Sequence, residues 1–311
     1  MRRALAVLLL AFASACGTGG SGGDAAAPAA AGPVCPLPDF GTEGTYERLT
    51  VVYDSPEGFD LLADVYTPEG DGPFPGLMVL HGGGWVQDDR STMRRTSEHY
   101  AAHGMTVFNI EYRLAPFTKA RGIGRDLSCA SRWFRAHAEA FKADPDCLGA
   151  LGESAGAHLA DMAALAWDEA IFQGGCEGAG ETEAAFRFVV SYFGPASFED
   201  MFAFNPLYRL FVPIFLEEGD DLDVFDAIRY ADRHPEVAFY LPHGTADELV
   251  PDVISDRFAA ALRAAGHVAV VRKVEGAPHG FIAHDGFDKP VNQSIQPEVE
   301  AFIREALGAG H

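Results

Sequence analysis

Positive charge is scarce in this 311-residue chain: 23 Lys and Arg residues stand against 45 Asp and Glu, which gives a net charge of −22. A surface with this balance repels phosphate backbones, so we expect no nucleic-acid partner. The sequence also lacks a Cys-x-x-Cys pair and a histidine cluster. We therefore predict neither a metal site nor a cofactor.

The chain begins with a hydrophobic run that is too short for a permanent membrane helix. The run covers residues 4–12, follows Arg2 and Arg3, and is separated from Cys16 by three small residues. This arrangement predicts a signal peptide over residues 1–15. It resembles a bacterial lipoprotein signal, in which the cysteine is lipidated and becomes the new N-terminus.

One departure from that signal keeps a second interpretation open. Such signals usually carry Leu three residues before the cysteine, and here that position is Ala13. Ordinary signal-peptidase cleavage is therefore the alternative to lipidation of Cys16. In both cases we expect an exported protein, which is either a membrane-anchored lipoprotein or a periplasmic or secreted protein. We expect it to contact the membrane only through an N-terminal lipid anchor.

A low-complexity stretch follows the predicted signal. Gly, Ala, Ser, Thr, Asp and Pro dominate it, and such a composition cannot bury enough apolar area to offset the entropy lost on ordering. We predict a flexible linker over residues 16–40 and a single catalytic domain over residues 41–311.

Four cysteines, Cys35, Cys129, Cys147 and Cys176, lie beyond the signal. An even number in an exported chain favours two disulfides, with free buried thiols as the alternative. We expect Cys147 to begin a strand and Cys176 to follow the next helix, at the same edge of the sheet, which weakly favours that pair. Cys129 should begin the preceding helix at the opposite edge, too far from Cys147 to be bridged. The sequence alone does not choose among the three pairings.

Short apolar runs alternate with helical stretches over the rest of the chain. We predict strands at 46–53, 60–66, 76–80, 105–110, 147–151, 186–193, 237–241 and 268–274. We predict helices near 92–102, 126–141, 155–167, 252–265 and 297–307, with Asp126 as an N-cap.

This pattern predicts an α/β fold. The first two strands flank a Ser-Pro-Glu-Gly turn and should form an antiparallel hairpin. The later alternation implies a mostly parallel central sheet with helices on both faces. Right-handed crossovers then place the strand-to-helix loops on one edge, where sites usually form.

Gly152-Glu153-Ser154-Ala155-Gly156 lies between a predicted strand and a predicted helix. A serine on a sharp strand-to-helix turn is exposed for nucleophilic attack, and flanking glycines let neighbouring backbones approach closely. We predict Ser154 as the nucleophile.

His81-Gly82-Gly83-Gly84-Trp85 follows an earlier strand. Consecutive glycines free the backbone to aim N–H groups at one oxygen, as an oxyanion hole requires. A phosphate-binding P-loop does not fit, because no Lys-Ser or Lys-Thr follows the glycines.

Together these motifs resemble the α/β-hydrolases related to hormone-sensitive lipase, in particular their compact esterases without a separate cap domain. The stretch Tyr112-Arg113-Leu114-Ala115-Pro116 resembles another motif of those enzymes. The resemblance covers most of residues 45–308. It implies that the backbone N–H groups of Gly83, Gly84 and Ala155 form the oxyanion hole.

Chain order in this fold is serine, acid, then histidine. His279 lies in a loop after the last predicted strand, and Ala277-Pro278-His279-Gly280-Phe281 resembles the family's catalytic histidine loop. The segment from His243 to Pro251 resembles the family's acid loop, in which Asp247 is the matching carboxylate. We predict His279 as the base and Asp247 as the acid. His284 is the second choice for the base, and Glu248 and Asp252 are the alternatives for the acid.

Three aromatic residues, Trp85, Phe202 and Phe281, are our candidates for substrate contact. Phe202 belongs to an aromatic-rich insert over residues 195–235. The insert has two open interpretations: helices that pack over the sheet, or a lid or acyl pocket near Ser154.

We predict a serine carboxylesterase that acts on small to medium acyl esters, either small molecules or glycans. A polysaccharide-directed acetyl or feruloyl esterase, an exported serine peptidase and a non-catalytic surface binding protein are the alternatives. The complete set of Ser154, Asp247 and His279 argues against the binding protein.

Overall fold

The computed structural model describes residues 34–308, except residues 177, 181, 217–220 and 283 and the side chains of residues 284 and 285. The predicted signal peptide, Cys16 and the linker as far as residue 33 lie outside the described residues. Within the described part of the chain, no helix is both long enough and apolar enough to cross a membrane.

Eight strands form one sheet. They are β1 (Tyr46–Asp54), β2 (Leu61–Pro68), β3 (Phe74–Leu80), β4 (Thr106–Ile110), β5 (Ala143–Glu153), β6 (Phe188–Tyr192), β7 (Ala238–Gly244) and β8 (Ala269–Val274). Their order across the sheet is β1-β2-β4-β3-β5-β6-β7-β8. β1 pairs with β2 and β2 with β4 in antiparallel fashion, and the other neighbours are parallel. The predicted mostly parallel sheet with an antiparallel N-terminal hairpin is confirmed.

Helices cover both faces of this sheet. They are α1 (Arg94–Ala102), α2 (Ala120–His137), α3 (Ala155–Leu165), α4 (Phe198–Phe204), α5 (Val212–Phe215), α6 (Val253–Ala264), α7 (Pro290–Gln293) and α8 (Gln296–Gly308). The insert contains α4, α5 and several single turns of 3-10 helix.

The two-residue period of the strands divides the core into two layers. In β3, Met78 and Leu80 face a layer that includes residues of α2, α3 and α6, whereas Leu77 and Val79 face a layer that includes residues of α1 and α8. All four side chains are fully buried. A strand buried on both faces reads as a continuous apolar run, which is why β3 was visible in the sequence.

Helix α2 begins earlier than predicted. Asp126 was expected as its N-cap, but the helix starts at Ala120 and Asp126 lies in its interior, 2% exposed. The carboxylate of Asp126 accepts hydrogen bonds from the Arg113 guanidinium at 2.8 and 2.9 Å and from the Arg113 backbone N–H at 3.0 Å. The partner of the Asp126 carboxylate is therefore Arg113, and not the N–H groups of the first helical turn that an N-cap would bind.

Two disulfides join Cys35 to Cys147 and Cys129 to Cys176. The weakly favoured Cys147–Cys176 pair is wrong, because these two residues lie on opposite faces of the sheet. Cys129 is in the middle of α2 and not at its start, and it faces Cys176 with a Cα–Cα distance of 5.3 Å. The exclusion of a Cys129–Cys147 pair is correct. The two cysteines are kept apart because they lie on opposite faces of the sheet, and not because they lie at opposite edges.

The domain begins earlier than the predicted boundary after residue 40. Cys35 is buried, and the backbone N–H of Asp39 donates to the carbonyl of His103 at 3.0 Å. The ring of Phe40 packs edge-on against Tyr100 of α1. Residues 35–40 therefore belong to the domain and not to a linker.

Candidate active site

Ser154 occupies a strained turn between β5 and α3. Its backbone has φ 52° and ψ −121°, in a region that residues with a side chain rarely adopt. The Ser154 N–H donates to the carbonyl of Tyr192 at 2.9 Å, which ties the turn to β6. Such strain persists only where the surroundings impose it, and it is common at functional sites.

The glycines on either side of Ser154 are required by close backbone contact. A Cβ on Gly152 would lie 2.2 Å from the carbonyl oxygen of Gly156, and a Cβ on Gly156 would lie 2.3 Å from that of His81. No side chain fits at either position. We call residues 152–156 the elbow.

The structure brings Ser154, His279 and Asp247 together although they are far apart in the chain. The Ser154 Oγ lies 2.9 Å from His279 Nε2, and His279 Nδ1 lies 2.7 Å from Asp247 Oδ2. Because a carboxylate only accepts, His279 Nδ1 carries a proton and Nε2 is free to accept the Ser154 hydroxyl proton. This is the arrangement that activates a serine for nucleophilic attack.

The sheet topology explains this convergence. β5, β7 and β8 are parallel, so their carboxyl ends meet at one edge. Ser154 follows β5 directly, Asp247 comes three residues after β7, and His279 comes five residues after β8. Three residues that follow three parallel strands are therefore close together at one edge of the sheet.

Asp247 is held as a carboxylate. Burial favours the neutral form, but hydrogen bonds from His243, from His279 and from the Val250 N–H hold the pKa of Asp247 well below its ordinary value. Its Oδ1 accepts the backbone N–H groups of Leu249 and Val250 at 2.9 and 2.8 Å. Its side chain is fully inaccessible to solvent.

The glycine loop after β3 borders the same pocket. Gly83 and Gly84 have positive φ values of 91° and 60°, and both line a cavity of about 460 Å³ that also contains Ser154 and His279. We call this cavity the serine pocket. Ala155, the first residue of α3, follows Ser154, and the first N–H groups of a helix have no partner within the helix. Two of the three residues predicted as oxyanion donors thus line the serine pocket, and the third follows Ser154 directly in the chain.

Tyr112 contacts the glycine loop through its hydroxyl and its ring. Its hydroxyl donates to the carbonyl oxygens of His81 and Gly82 at 2.9 and 3.0 Å, and its ring stacks on the His81 imidazole with centroids 4.3 Å apart. Burial lowers the pKa of His81 to about 4, so this imidazole is neutral. Sequence reasoning placed Tyr112 in a family motif but did not predict this contact.

Glu153, next to Ser154, is a carboxyl group with almost no access to solvent. It lines the serine pocket yet is 4% exposed, and its Oε2 has no hydrogen-bond partner among the described residues. Burial, with a smaller contribution from the nearby charge of Asp88, raises the pKa of Glu153 to about 7, while a hydrogen bond from Gly82 opposes the shift. The hydrogen bond from Gly82 joins this side chain to the glycine loop.

Two of the three predicted substrate contacts border an adjoining cavity. Trp85 and Phe202 line an apolar pocket of about 240 Å³, which shares five lining residues with the serine pocket. The Trp85 ring packs edge-on against His158, whose imidazole donates to the carbonyl of Phe225. We call this cavity the apolar pocket.

Phe281 does not reach either pocket, and that prediction is corrected. Its side chain is 4% exposed and packs against the rings of Phe193 and Tyr192 in the core. Gly280, with φ 74°, turns the chain after His279 and lines the serine pocket instead.

The insert contributes directly to the site. Pro195, Met201 and Tyr208 line the serine pocket, and the Tyr208 hydroxyl donates to the carbonyl of Leu249 in the acid loop. Most of the apolar pocket is built from α4, α5 and the turns between them. Among the described residues, no cluster of His, Cys, Asp or Glu could hold a metal ion.

Comparisons with known proteins agree with this architecture. The family model described as BD-FAE matches residues 63–262, which are 200 of the 311 residues. Esterase LipC of Mycobacterium tuberculosis is 29% identical over 69% of this chain and 55% of its own length. The probable isoprenylcysteine alpha-carbonyl methylesterase ICMEL1 of Arabidopsis thaliana is 27% identical over 85% of this chain and 56% of its own length.

The chain spans about half the length of these curated relatives. Among solved structures, the butyrate-bound esterase Est2 of Thermogutta terrifontis superimposes with a TM-score of 0.71 and 23% identity, over 83% of this chain and 94% of that one. The predicted resemblance to serine esterases of the α/β-hydrolase fold is confirmed. The chain has that fold and belongs to the BD-FAE family.

Proposed function

We propose that this protein is a serine carboxylesterase that hydrolyses small to medium acyl esters through an acyl-enzyme on Ser154. One observation carries the proposal: the hydrogen-bonded series from Ser154 through His279 to Asp247, at the floor of an open pocket. Relatives named as esterases and as carboxylic ester hydrolases support the same reaction class.

In this mechanism His279 takes the hydroxyl proton of Ser154 as the oxygen attacks the ester carbonyl. The carbonyl oxygen becomes an anion that accepts hydrogen bonds from the backbone N–H groups of Gly83, Gly84 and Ala155. Loss of one such donor typically costs about 3 kcal/mol of barrier. His279 then gives its proton to the departing alcohol, which leaves Ser154 acylated.

Water completes the cycle. His279 removes a proton from a water molecule, which attacks the acyl carbonyl and releases the carboxylic acid. Asp247 stays ionised throughout, holds the productive tautomer of His279 and stabilises the imidazolium. Its fixed position, with two backbone N–H groups on one oxygen, suits that task.

The apolar pocket supports the proposed acyl size. Its volume of about 240 Å³ lies below the roughly 300–1,000 Å³ common for drug-sized ligands. It adjoins Ser154 through Trp85 and Met201, which also line the serine pocket. A short or medium acyl group fits there, and the alcohol faces the open side.

A glycan ester is the second candidate substrate, and a further pocket favours it. This cavity of about 610 Å³ lies across the glycine loop and shares Asp88 with the serine pocket. The exposed rings of Phe59 and Phe117 and the carboxylates of Asp89 and Glu111 line it. Aromatic faces and hydrogen-bond acceptors suit a polyhydroxylic alcohol.

The test is a panel of p-nitrophenyl esters from acetate to palmitate, together with acetylated and feruloylated oligosaccharides. The proposal predicts turnover that peaks at short to medium chains and is lost in Ser154→Ala. Ser294→Ala, which alters an exposed serine directly after α7, should retain full activity. Turnover that survives in Ser154→Ala contradicts it. Faster release from the oligosaccharides than from every simple ester would select the second candidate.

We further propose that the protein is exported, with Cys16 as a lipid attachment site. Two disulfides in the described domain support an oxidising compartment. Expression in a bacterial host with labelled palmitate tests this. The label should enter the wild type and be lost in Cys16→Ser. Secreted, unlabelled wild-type protein would favour simple cleavage.

A further inference from the structure

A second buried imidazole contacts the acid of the site. His243, near the end of β7, is fully buried, and its Nε2 lies 3.3 Å from Asp247 Oδ2, the oxygen that also accepts from His279. The Asp247 carboxylate thus lies between two imidazoles, one directed at Ser154 and one directed into the core.

The partners of His243 determine its tautomer. Nε2 lies 2.9 Å from the carbonyl oxygen of Val250 as well as close to Asp247, and both of these groups only accept. Nε2 must therefore carry the proton, and Nδ1 accepts from the Ser255 hydroxyl at 2.7 Å. Ser255, on α6, thus anchors the ring with Nε2 facing the acid.

These contacts close a ring of hydrogen bonds around the acid loop. His243 donates to the carbonyl of Val250, the N–H of Val250 donates to Asp247 Oδ1, and Asp247 Oδ2 accepts from His243 Nε2. The loop from 244 to 250 contains no helix or strand beyond Gly244. His243 therefore holds the Asp247 carboxylate in its orientation from the buried side of the loop.

We infer that His243 is a positioning residue for the proposed ester hydrolysis: by donating from Nε2 it holds Asp247 in line with His279, and it shares the charge of the carboxylate. This inference rests on the proposed function. His243 does not touch the reacting atoms. It acts through Asp247, which is the charged group in contact with it.

Two variants distinguish the loss of the Nε2–H donor of His243 from the loss of its side-chain volume. His243→Gln keeps an N–H at the end of a side chain of similar reach, and His243→Leu fills the space without a donor. We expect His243→Leu to lower kcat by roughly 10- to 100-fold with KM within about twofold, the range that loss of a hydrogen bond supporting a metal-binding side chain typically costs. His243→Gln should recover most of that loss.

The pH profile provides a readout that simple destabilisation would not move. Without the second imidazole, Asp247 Oδ2 directs more of its charge at His279 and favours the imidazolium. The acidic limb of kcat/KM should therefore move to higher pH in His243→Leu and stay in place in His243→Gln. His267→Leu is the matched control, because His267 is also buried and bonded to a backbone carbonyl, that of Val237, but lies away from the acid.

Ser255→Ala keeps the test decisive if His243→Leu does not fold. Removing the hydroxyl takes away the hydrogen bond at Nδ1 that anchors the His243 ring. The Nε2 donor should then hold Asp247 less firmly, so the same limb should move in the same direction with a smaller loss of kcat. An unchanged limb and kcat in the folded variants would overturn the inference while the esterase proposal stands. A wild-type protein that is inactive on every ester would overturn both.

Discussion

The elbow and the insert meet at the same pocket but are built in opposite ways. In the elbow the backbones of Gly152 and Gly156 are in direct contact with neighbouring chain, so no side chain fits. In the insert, short helices leave the large side chains of Phe204, Leu207 and Leu210 exposed. The first region has one possible geometry, and the second presents an adaptable apolar surface.

This contrast separates chemistry from selectivity. The reacting groups need positions fixed within fractions of an ångström, which a strained turn and a buried carboxylate provide. The acyl group needs only a cavity of suitable size and polarity, which several arrangements of aromatic side chains can provide. Substitutions in the elbow or the acid loop should therefore affect kcat, and those in the insert should affect the choice of ester.

The largest effect is expected from the acid. Asp247→Asn keeps the shape of the side chain but favours the wrong tautomer of His279, so kcat should fall by about 10⁴-fold. Steady-state kinetics with p-nitrophenyl butyrate measures this. Glu248→Gln, the exposed neighbour, is the matched control and should stay within about twofold. Equal losses of kcat in both variants would contradict the assignment of Asp247 as the acid.

Gly156→Ala should break the elbow itself. The added methyl group would lie 2.3 Å from the carbonyl oxygen of His81, so the helix or the glycine loop must move. We expect a loss of about 1–3 kcal/mol in the free energy of unfolding, or more, and at least a 100-fold fall in kcat. Gly308→Ala, where a Cβ meets nothing, should change neither quantity. Full activity in Gly156→Ala would show that the close contact is not needed.

Glu153 should make stability depend on pH. Its pKa is about 7 in the folded protein against 4.5 ordinarily, so the folded state holds the proton more tightly. The resulting stabilisation is complete below about pH 4.5 and disappears as the pH rises through 7. Over that interval it amounts to on the order of 3 kcal/mol.

Glu153→Gln should therefore lose less stability than the wild type between pH 5 and pH 8, measured by urea denaturation at both values. Glu47→Gln, an exposed carboxylate on β1, should follow the wild type. Asp226, whose pKa burial also raises to about 7, is present in all three proteins and cancels from the comparison. Parallel curves for the wild type and Glu153→Gln would refute the shift.

The smallest effect is expected from the insert. Phe202→Ala removes a wall of the apolar pocket, so the ratio of kcat/KM for octanoyl to butyryl esters should rise by roughly tenfold, with butyrate turnover little changed. Phe204→Ala alters the same helix at an exposed side chain that does not line the pocket. Its ratio should remain that of the wild type, and a matching rise would mean that the helix and not the pocket sets the preference.

The sequence predicted the elbow and the histidine and acid loops because the chemistry requires particular residue types in a particular chain order. Ser154, Asp247 and His279 each follow a strand that is continuous and apolar enough to be recognised. The same reasoning failed for Phe281, because a turn at Gly280 sends the side chain into the core. No local sequence pattern predicts the direction in which the chain turns at Gly280.

The disulfides show a second limit. Pairing required knowing on which face of the sheet each cysteine lies, and this depends on the start of α2. An acid that pairs with Arg113 was interpreted as an N-cap, which moved the predicted helix start by six residues, from Ala120 to Asp126. Cys129 was consequently assigned to the wrong edge. The contact of His243 with Asp247 was hidden for a related reason, since it exists only after the acid loop has closed.

Covalent labelling is the sharpest test that Ser154 is an activated nucleophile. A fluorophosphonate probe is attacked by an activated serine, and digestion followed by mass spectrometry locates the adduct. We expect one adduct, on Ser154, formed much more slowly in His279→Gln and absent in Ser154→Ala. An adduct on another residue, or a wild-type protein that the probe does not modify, would contradict it.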